Sequence, residues 1–189
     1  MAIIHNKSSL LILKIIDQQL LSLTVINYHI NLKMKGVTIN NKGAKIHFTR
    51  HALSQANTGL LSIDSPLSQE GIKQAKLLIG DFDCVVLSPL RRTQETLHYS
   101  QIKYGYLHIC PNFRERVFNE SDRLMFENPV DESDEAFNKR IKRFHQELEE
   151  LCETYKNILL IGHAYFYNSW YRRGCFPSPA NAQIIQLLC

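Results

Sequence analysis

The 189-residue chain lacks both a close pair of cysteines and an apolar run long enough to cross a membrane. Its cysteines are odd in number and show no C-x-x-C spacing: Cys84, Cys110, Cys152, Cys175 and Cys189. A disulfide framework or a zinc ribbon is therefore not expected, and a reducing compartment fits best. Near the N-terminus, Lys14 and Asp17 interrupt the apolar residues 10–13 well short of a spanning length, and no small-residue cleavage site follows. These absences predict a cytoplasmic protein with no membrane segment.

Most of the chain also lacks an excess of positive or negative charge. The formal net charge is +4, and all of it comes from residues 1–43, where five lysines face a single aspartate. Residues 44–189 carry 17 basic and 17 acidic side chains. Such a balance gives no general field that would attract nucleic acid, so any anion site must be local. We predict an N-terminal extension of unknown role over residues 1–43, one domain over residues 44–189, and no nucleic-acid partner.

Strand-like and helix-like segments alternate from Lys45 onward, in a chain whose 44% apolar residues suffice for one core. The predicted strands are residues 45–49, 84–87, 106–109, 158–161 and 184–188. The predicted helices are residues 68–78, 90–99, 134–155 and 165–172. The first helix opens with a capping signature at Ser68, and the longest has apolar side chains at helical spacing. This alternation favours an α/β domain with a mostly parallel sheet.

Basic or titratable side chains follow three of the predicted strands. Arg50 and His51 follow the first strand, His163 follows the fourth, and the segment from Ser88 to Arg92 follows the second. In parallel sheets, ligands bind beyond the carboxyl ends of the strands. We therefore expect these side chains to converge at one edge of the sheet and to form a phosphate pocket.

The side chains at these strand ends suit phosphoryl transfer. A histidine can attack phosphorus, but fixed cations must hold the charge on the transferring group. Arg50 and Arg92 fit that role because a guanidinium binds two phosphate oxygens and keeps its charge at any working pH. A carboxylic acid must then protonate the leaving oxygen and later activate water. Glu115 is the candidate for this acid, and Glu120 in the same segment is the alternative.

Five sequence motifs occur in a fixed order along residues 45–188. Residues 50–57 read R-H-A-L-S-Q-A-N, residues 66–75 read P-L-S-Q-E-G-I-K-Q-A, and residues 88–96 read S-P-L-R-R-T-Q-E-T. They are followed by F-R-E at residues 113–115 and by G-H at residues 162–163. Together these motifs resemble those of the histidine phosphatase superfamily, which includes the cofactor-dependent phosphoglycerate mutases.

The resemblance implies a three-layer α/β/α fold of the phosphoglycerate mutase type. It also implies the catalytic residues, which are His51 as the nucleophile that becomes phosphorylated, Glu115 as the acid and base, and His163. The substrate-binding residues that it implies are Arg50, Ser54, Asn57 and Arg92. No metal or cofactor is expected, since the sequence shows no ligand cluster with metal spacing.

Two residues depart from the family pattern. Ala52 stands where the family has glycine, and Leu53 stands where glutamate is common. Alanine rejects backbone conformations that glycine tolerates, so either position 52 has ordinary dihedral angles or the site is altered. Neither change removes a charge that the mechanism requires. Ala52 keeps open the alternative of a catalytically weak module that binds phosphorylated partners.

The length of chain between Glu115 and His163 bears on the type of reaction. Only 48 positions separate these residues, and one long helix takes up nearly half of them. Little chain then remains for the cap that encloses substrate in the mutases. Hydrolysis is therefore favoured, with a phosphoglycerate mutase-like transferase as the alternative, and the oligomeric state stays open.

Acidic side chains are concentrated in residues 115–135, where eight of them face only Arg116 and Arg123. Like charges in a partly desolvated cleft cost free energy, so this segment would disfavour polyanions. The predicted substrate is a small phosphomonoester or a phosphorylated protein. Arg116 itself either forms an ion pair or touches substrate. The basic run of the long helix is expected to face solvent, and it comprises Lys139, Arg140, Lys142 and Arg143.

Overall fold

The structure is a computed structural model, and it describes residues 39–58, 64–116, 132–172 and 178–188. All of these residues belong to one compact unit, Val37–Cys189. Most of the predicted extension, residues 1–38, lies outside the described residues. Of its last five residues, Ile39 is buried in the core and Lys42 forms an ion pair with Glu153.

The described strands form one five-stranded sheet in the order β3-β2-β4-β1-β5. Their bounds are β1 Lys45–Arg50, β2 Ile79–Leu87, β3 Gln101–Ile109, β4 Asn157–Gly162 and β5 Ile184–Gln186. The first four strands pair in parallel, and β5 pairs antiparallel with β1 at the edge. The prediction of a mostly parallel sheet is confirmed.

Four α-helices occur in the described ranges, all at predicted places. They are α1 Gln69–Lys76, α2 Arg91–Tyr99, α3 Asp134–Thr154 and α4 Ala164–Trp170. The side chain of Ser68 accepts a hydrogen bond from the backbone N–H of Gly71, which is the cap that the sequence predicts for α1. Within these ranges, no helix combines the length and the apolar composition that crossing a membrane requires.

The helices cover both faces of the sheet. On β4, Ile158 and Leu160 belong to the core cluster that contains side chains of α3 and α4. The intervening residues Leu159 and Ile161 belong to a second cluster, which contains Leu97 of α2. Successive side chains of a strand point to opposite faces, so these two clusters lie on opposite sides of the sheet. The three-layer α/β/α architecture is confirmed.

Two strands, β2 and β3, each begin five residues earlier than predicted. The first residues of β2, from Ile79 to Phe82, form a ladder with β3 alone, because the ladder with β4 begins at Cys84. This two-stranded extension is largely exposed and includes charged residues such as Asp81 and Lys103. A search for apolar runs therefore detects only the later parts of both strands, of which that of β2 is buried and that of β3 is partly exposed.

Candidate active site

The carboxyl ends of β1, β4 and β2 lie next to one another. Arg50, the last residue of β1, is in register with Gly162, and Leu87 of β2 is in register with Ile161. The residues that follow these ends, His51, Ser88 and His163, therefore emerge at one edge of the sheet. This is the edge at which the sequence analysis predicts a phosphate pocket.

His51 is a buried, neutral histidine, with only 4% of its surface exposed. Its Nδ1 lies 2.8 Å from the carbonyl oxygen of Ala52. A carbonyl oxygen only accepts, so Nδ1 carries the proton and Nε2 keeps its lone pair. Burial lowers the pKa of His51 to about 3, and the positive charges of Arg92 and Arg50 act in the same direction. The ring is therefore an uncharged potential nucleophile near pH 7.

The backbone around His51 is held on three sides. The N–H of His51 donates to the carbonyl oxygen of Gly162 at 3.0 Å, and the side chain of Asn181 donates to the carbonyl oxygen of His51 at 2.6 Å. The N–H of Ala52 donates to the hydroxyl of Thr96 at 2.9 Å. These bonds fix the direction in which the imidazole leaves the strand.

Ala52 has ordinary backbone dihedral angles. In the described part of the chain, positive φ values occur only at Lys42, Gly43 and Ala182. The methyl group of Ala52 is fully buried in a small apolar cluster with Leu67. The absence of glycine after His51 therefore produces no backbone strain.

His163 lies beside His51, with 5.3 Å between the ring centroids. It is fully buried at the N-cap position of α4. Its Nε2 lies 2.7 Å from the hydroxyl oxygen of Ser88, whereas its Nδ1 is buried and makes no hydrogen bond to the described residues. Burial, together with the charge of Arg92, lowers the pKa of His163 well below its usual value. The serine hydroxyl can donate or accept; when it donates to Nε2, the neutral ring presents Nδ1–H as a donor, which is the tautomer that binds a phosphoryl oxygen.

Two arginines supply the positive charge of the site. Arg92, in the first turn of α2, is buried and lowers the pKa values of both His51 and His163. The Nε of Arg50 is shielded from solvent and has no hydrogen-bond partner in the described ranges. Burial lowers the pKa of Arg50, and the carboxylate of Glu115 partly opposes this effect. Two guanidinium groups beside two neutral imidazoles form a site that fits one phosphoryl group.

Glu115 reaches the same site from the segment that follows β3. Its Oε1 accepts from the backbone N–H of Phe166 at 3.0 Å and of Arg116 at 3.1 Å, and its Oε2 accepts from that of Tyr165 at 3.4 Å. Its carboxyl group therefore lies against the first turn of α4. Burial raises the pKa of Glu115 above its usual value, although these N–H groups and Arg92 favour the charged form. A raised pKa suits a group that must donate a proton.

The position of Glu115 depends on a close contact between Phe113 and β4. A Cβ atom at Gly162 would lie 2.3 Å from the ring of Phe113, so only glycine leaves room for this ring. Phe113 is fully buried and stacks on Phe144 of α3, with 4.5 Å between the centroids. This packing places the residues after Phe113 beside the end of β4.

Arg140 of α3 also holds this segment, and its predicted exposure to solvent is wrong. The guanidinium is buried, with 7% exposed, and donates to both carboxylate oxygens of Glu132 at 2.6 Å. It also donates to the carbonyl oxygens of Asn112 at 3.0 Å and Arg114 at 2.7 Å. Helical spacing in the sequence could have indicated this burial, because position 140 lies on the apolar face of α3, three residues after Phe137.

Ser54 and Asn57 contact each other in the structure. The hydroxyl of Ser54 donates to Oδ1 of Asn57 at 2.9 Å, and the N–H of Ser54 donates to the same oxygen at 3.1 Å. Ser54 is 1% exposed, whereas Asn57 is exposed in the 3-10 turn Gln55–Thr58. These bonds fold the loop after His51, and the predicted contacts of both residues with substrate stay predictions.

Much of the acidic segment, including Glu120, lies outside the described residues. Within the described part, Arg114 pairs with Glu132 at 3.4 Å and Arg116 forms an ion pair with Asp134. Arg116 also donates to the hydroxyl of Tyr165 at 3.3 Å. Of the two interpretations of Arg116, ion pairing is the one that the structure shows.

A group of potential metal ligands occurs where the sequence analysis predicts none. Ligand atoms of His108, Cys110 and Glu147 all lie within 4.8 Å of one another. Glu147 is 37 residues from Cys110 and lies on a different element. Spacing along the sequence therefore could not indicate this group.

The comparisons confirm the resemblance to the histidine phosphatase superfamily. The family model of the histidine phosphatase superfamily (branch 1) matches residues 46–128. This range includes Arg50, His51, Arg92 and Glu115, while His163 lies beyond it. No curated protein sequence matches the chain.

Several solved structures that share the fold of this chain are named as phosphatases. A candidate alpha-ribazole-5'-P phosphatase from Escherichia coli str. K-12 substr. MG1655 is 24% identical, with a TM-score of 0.57 over 76% of this chain and 89% of that chain. The phosphoserine phosphatase from Entamoeba histolytica, in complex with 3-phosphoglyceric acid, is 18% identical, with a TM-score of 0.53 over 77% and 90%. A mycobacterial glucosyl-3-phosphoglycerate phosphatase in complex with VO3 is 15% identical, with a TM-score of 0.53 over 77% and 91%. At these identities the likeness establishes the fold alone.

Proposed function

Since residues 46–128 match the histidine phosphatase superfamily and the fold is that of its members, we propose that this protein is a phosphomonoester hydrolase. It acts through a phosphohistidine intermediate on His51 and needs no metal ion at the catalytic centre. The observation that carries this proposal is the buried, neutral His51 beside Arg50, Arg92 and His163.

In the first step, Nε2 of His51 attacks the phosphorus atom of the substrate. The N–P bond forms as the bond from phosphorus to the leaving oxygen breaks, and Glu115 gives its proton to that oxygen. Arg50, Arg92 and the Nδ1–H of His163 hold the three remaining phosphoryl oxygens. The products are a free alcohol, a phosphohistidine and a Glu115 carboxylate.

In the second step, the Glu115 carboxylate removes a proton from a water molecule. The water oxygen attacks phosphorus, the N–P bond breaks, and inorganic phosphate leaves. Glu115 is then protonated and His51 is again neutral, so both groups are ready for another substrate. The same carboxyl group acts as acid in one step and as base in the other.

The substrate is a monophosphate whose remainder is uncharged or cationic, either a small phosphomonoester or a phosphorylated protein. The acidic composition of residues 115–135 supports this choice over bisphosphates and nucleic acid. Two of the similar structures are named as phosphatases of alpha-ribazole-5'-P and of phosphoserine. Both names denote monophosphates, which supports the same substrate class. A cytoplasmic location, with no membrane partner, is part of this proposal.

The test is hydrolysis of an aryl phosphate and of a panel of phosphomonoesters, phosphoproteins included. The wild type should release inorganic phosphate and, after an acid quench, retain radiolabelled phosphate on the chain. His51→Ala should lose both signals, whereas His98→Ala, which changes an exposed histidine of α2, should retain them.

Three other results would overturn the proposal. Exchange of phosphate between substrate positions without net release would indicate a mutase-like transferase. Binding of phosphorylated compounds without turnover would indicate a phosphate-binding module. Inhibition by a chelator that a divalent metal reverses, in the wild type and in Cys110→Ser alike, would contradict the metal-independent mechanism.

A further inference from the structure

His108, Cys110 and Glu147 form a compact cluster between a strand end and a helix. His108 and Cys110 are two residues apart at the end of β3, so their side chains point to the same face of the strand. Glu147 faces them from α3. Its Oε2 is 2.9 Å from the sulfur of Cys110 and 3.6 Å from Nε2 of His108.

The side chain of His108 has an unused ligand atom in this cluster. Its Nε2 is shielded from solvent, and it makes no hydrogen bond within the described ranges. A buried polar atom without a partner costs free energy, and in native proteins it usually contacts water or an ion. The atom lies close to a thiol and a carboxylate, which are the other two ligand types of a mixed metal site.

We propose that His108, Cys110 and Glu147 bind one divalent transition-metal ion, with zinc as the preferred metal. Imidazole, thiolate and carboxylate together suit zinc, whose bonds to them are about 2.0–2.3 Å long. Bonds of that length in a tetrahedron separate the ligand atoms by roughly 3.3–3.8 Å. The three atoms lie within 4.8 Å of one another, so shifts of about 1 Å bring them to such distances, and a water molecule completes the tetrahedron.

The surroundings of the cluster favour a metal ion. The amide of Asn112 donates to Oε1 of Glu147 and orients the carboxylate, as outer ligands of metal sites do. The N–H of Cys110 donates to the carbonyl oxygen of Leu87 at 2.9 Å, so the thiol is attached to a fixed strand end. His108 and Glu147 are 29% and 34% exposed, which leaves a path for the ion from solvent.

Binding exchanges a proton for the metal at Cys110. In the metal-free protein, the Cys110 thiol donates a hydrogen bond to Oε2 of Glu147, so the sulfur carries a proton. When the sulfur–metal bond forms, the S–H proton leaves to solvent. The bound ion links β3 to α3 at the start of the segment that carries Glu115.

The test is a titration of the metal-free full chain with Co²⁺, followed by displacement with Zn²⁺. Thiolate ligation of Co²⁺ gives a charge-transfer band in the near ultraviolet, and the band should saturate at one equivalent. Cys110→Ser should abolish the band. His108→Gln and Glu147→Gln should weaken binding by more than about tenfold, the loss that even outer-shell changes cause.

The controls are two changes on the same helix outside the cluster. Glu149→Gln removes a carboxylate that pairs with His145, and Cys152→Ser removes a different buried thiol. Both variants should bind Co²⁺ as the wild type does. Excess Zn²⁺ should also raise the thermal midpoint of the wild type and of Glu149→Gln but not that of His108→Gln.

A wild type without the charge-transfer band would overturn the proposal. So would a band that persists in Cys110→Ser, because another thiol would then be the ligand. Neither measurement uses phosphatase activity, so the metal site and the proposed hydrolysis can fail independently of each other.

Discussion

The proposed nucleophile, His51, and the proposed acid, Glu115, titrate in the opposite order from free side chains in water. In water, glutamate titrates near 4.3 and histidine near 6.5, so few molecules would carry a protonated acid beside a neutral nucleophile. Burial lowers the pKa of His51 to about 3 and raises the pKa of Glu115. The folded protein therefore has a pH range in which His51 is neutral and Glu115 is protonated.

This order predicts how the rate depends on pH. For an alkyl phosphate, we expect kcat/KM to fall as the pH rises through the raised pKa of Glu115, because the leaving oxygen then lacks its proton donor. Glu115→Gln should slow alkyl phosphates by about 10²–10⁴-fold and nitrophenyl phosphate much less, since nitrophenolate leaves without protonation. Steady-state rates of both substrates over a range of pH values measure this. Equal slowing of both substrates would show that Glu115 is not the acid and would make Glu120 the next candidate.

Ser88 is predicted to orient His163 without touching substrate. Ser88→Ala removes the 2.7 Å hydrogen bond to Nε2, so the ring loses the partner that keeps its proton on Nδ1. We expect kcat to fall by about tenfold, the equivalent of one hydrogen bond, with little change in KM. Ser88→Thr, which keeps a hydroxyl, should restore most of the rate. An equal loss of rate in both variants would indicate a packing defect.

The same burial makes the stability of the fold depend on pH. The pKa of His51 is about 3 in the folded protein and near 6.5 in the unfolded chain, so the unfolded chain binds more protons between these values. The contribution of His51 is fully present above pH 6.5 and is lost as the pH falls. Between pH 7.5 and pH 5, urea unfolding of the wild type should lose about 2 kcal/mol more than that of His51→Gln. Parallel curves for the two proteins would contradict a buried, neutral His51.

At the scale of elements, α3 holds the segment that carries Glu115. Arg140 binds two carbonyl oxygens of that segment as well as Glu132, so one side chain connects the helix to the loop. Arg140→Met leaves the Glu132 carboxylate buried with the weaker partner Arg114. We expect a loss of about 3–5 kcal/mol in the free energy of unfolding, together with a lower kcat. Urea unfolding and steady-state kinetics measure the two effects.

Two further variants distinguish the effect of Arg140 on stability from its effect on the position of the Glu115 segment. Arg143→Met removes an exposed charge of α3 and should change neither quantity. Arg140→Met combined with Glu132→Gln should recover part of the stability, because no buried charge is left without a partner. It should not recover the rate, since the carbonyl oxygens of Asn112 and Arg114 still lack their donor. Full recovery of the rate would exclude a positioning role for Arg140.

At the scale of the whole molecule, the contact between Phe113 and Gly162 joins the segment after β3 to the end of β4. Gly162→Ala would place a Cβ atom 2.3 Å from the ring of Phe113, so the ring must move. We expect a loss of about 1–3 kcal/mol and a slower reaction, because Glu115 follows this ring by two residues. Phe113→Leu in the Gly162→Ala background should recover stability. If Gly162→Ala alone is neutral, the ring does not set the position of Glu115.

The sequence by itself determined the elements and the order of the site residues. The cap at Ser68, the helical spacing in α3 and the apolar runs before Arg50, Ser88 and His163 are signals between near neighbours in the chain, and the structure has elements at each of these places. The motifs also placed His51 and Glu115 on particular segments. Chain-local patterns carry this information because backbone hydrogen bonds and side-chain periodicity act over a few residues.

Only the tertiary structure decided which side chains meet and how they titrate. The burial of Arg140, the ordinary backbone of Ala52, the pairing of Ser88 with His163 and the cluster around Cys110 all join distant parts of the chain or depend on what surrounds them. The shifted pKa values of His51 and Glu115 likewise come mainly from desolvation. Desolvation and charge interactions depend on all the atoms that fold around a group, and residue order alone does not fix those positions.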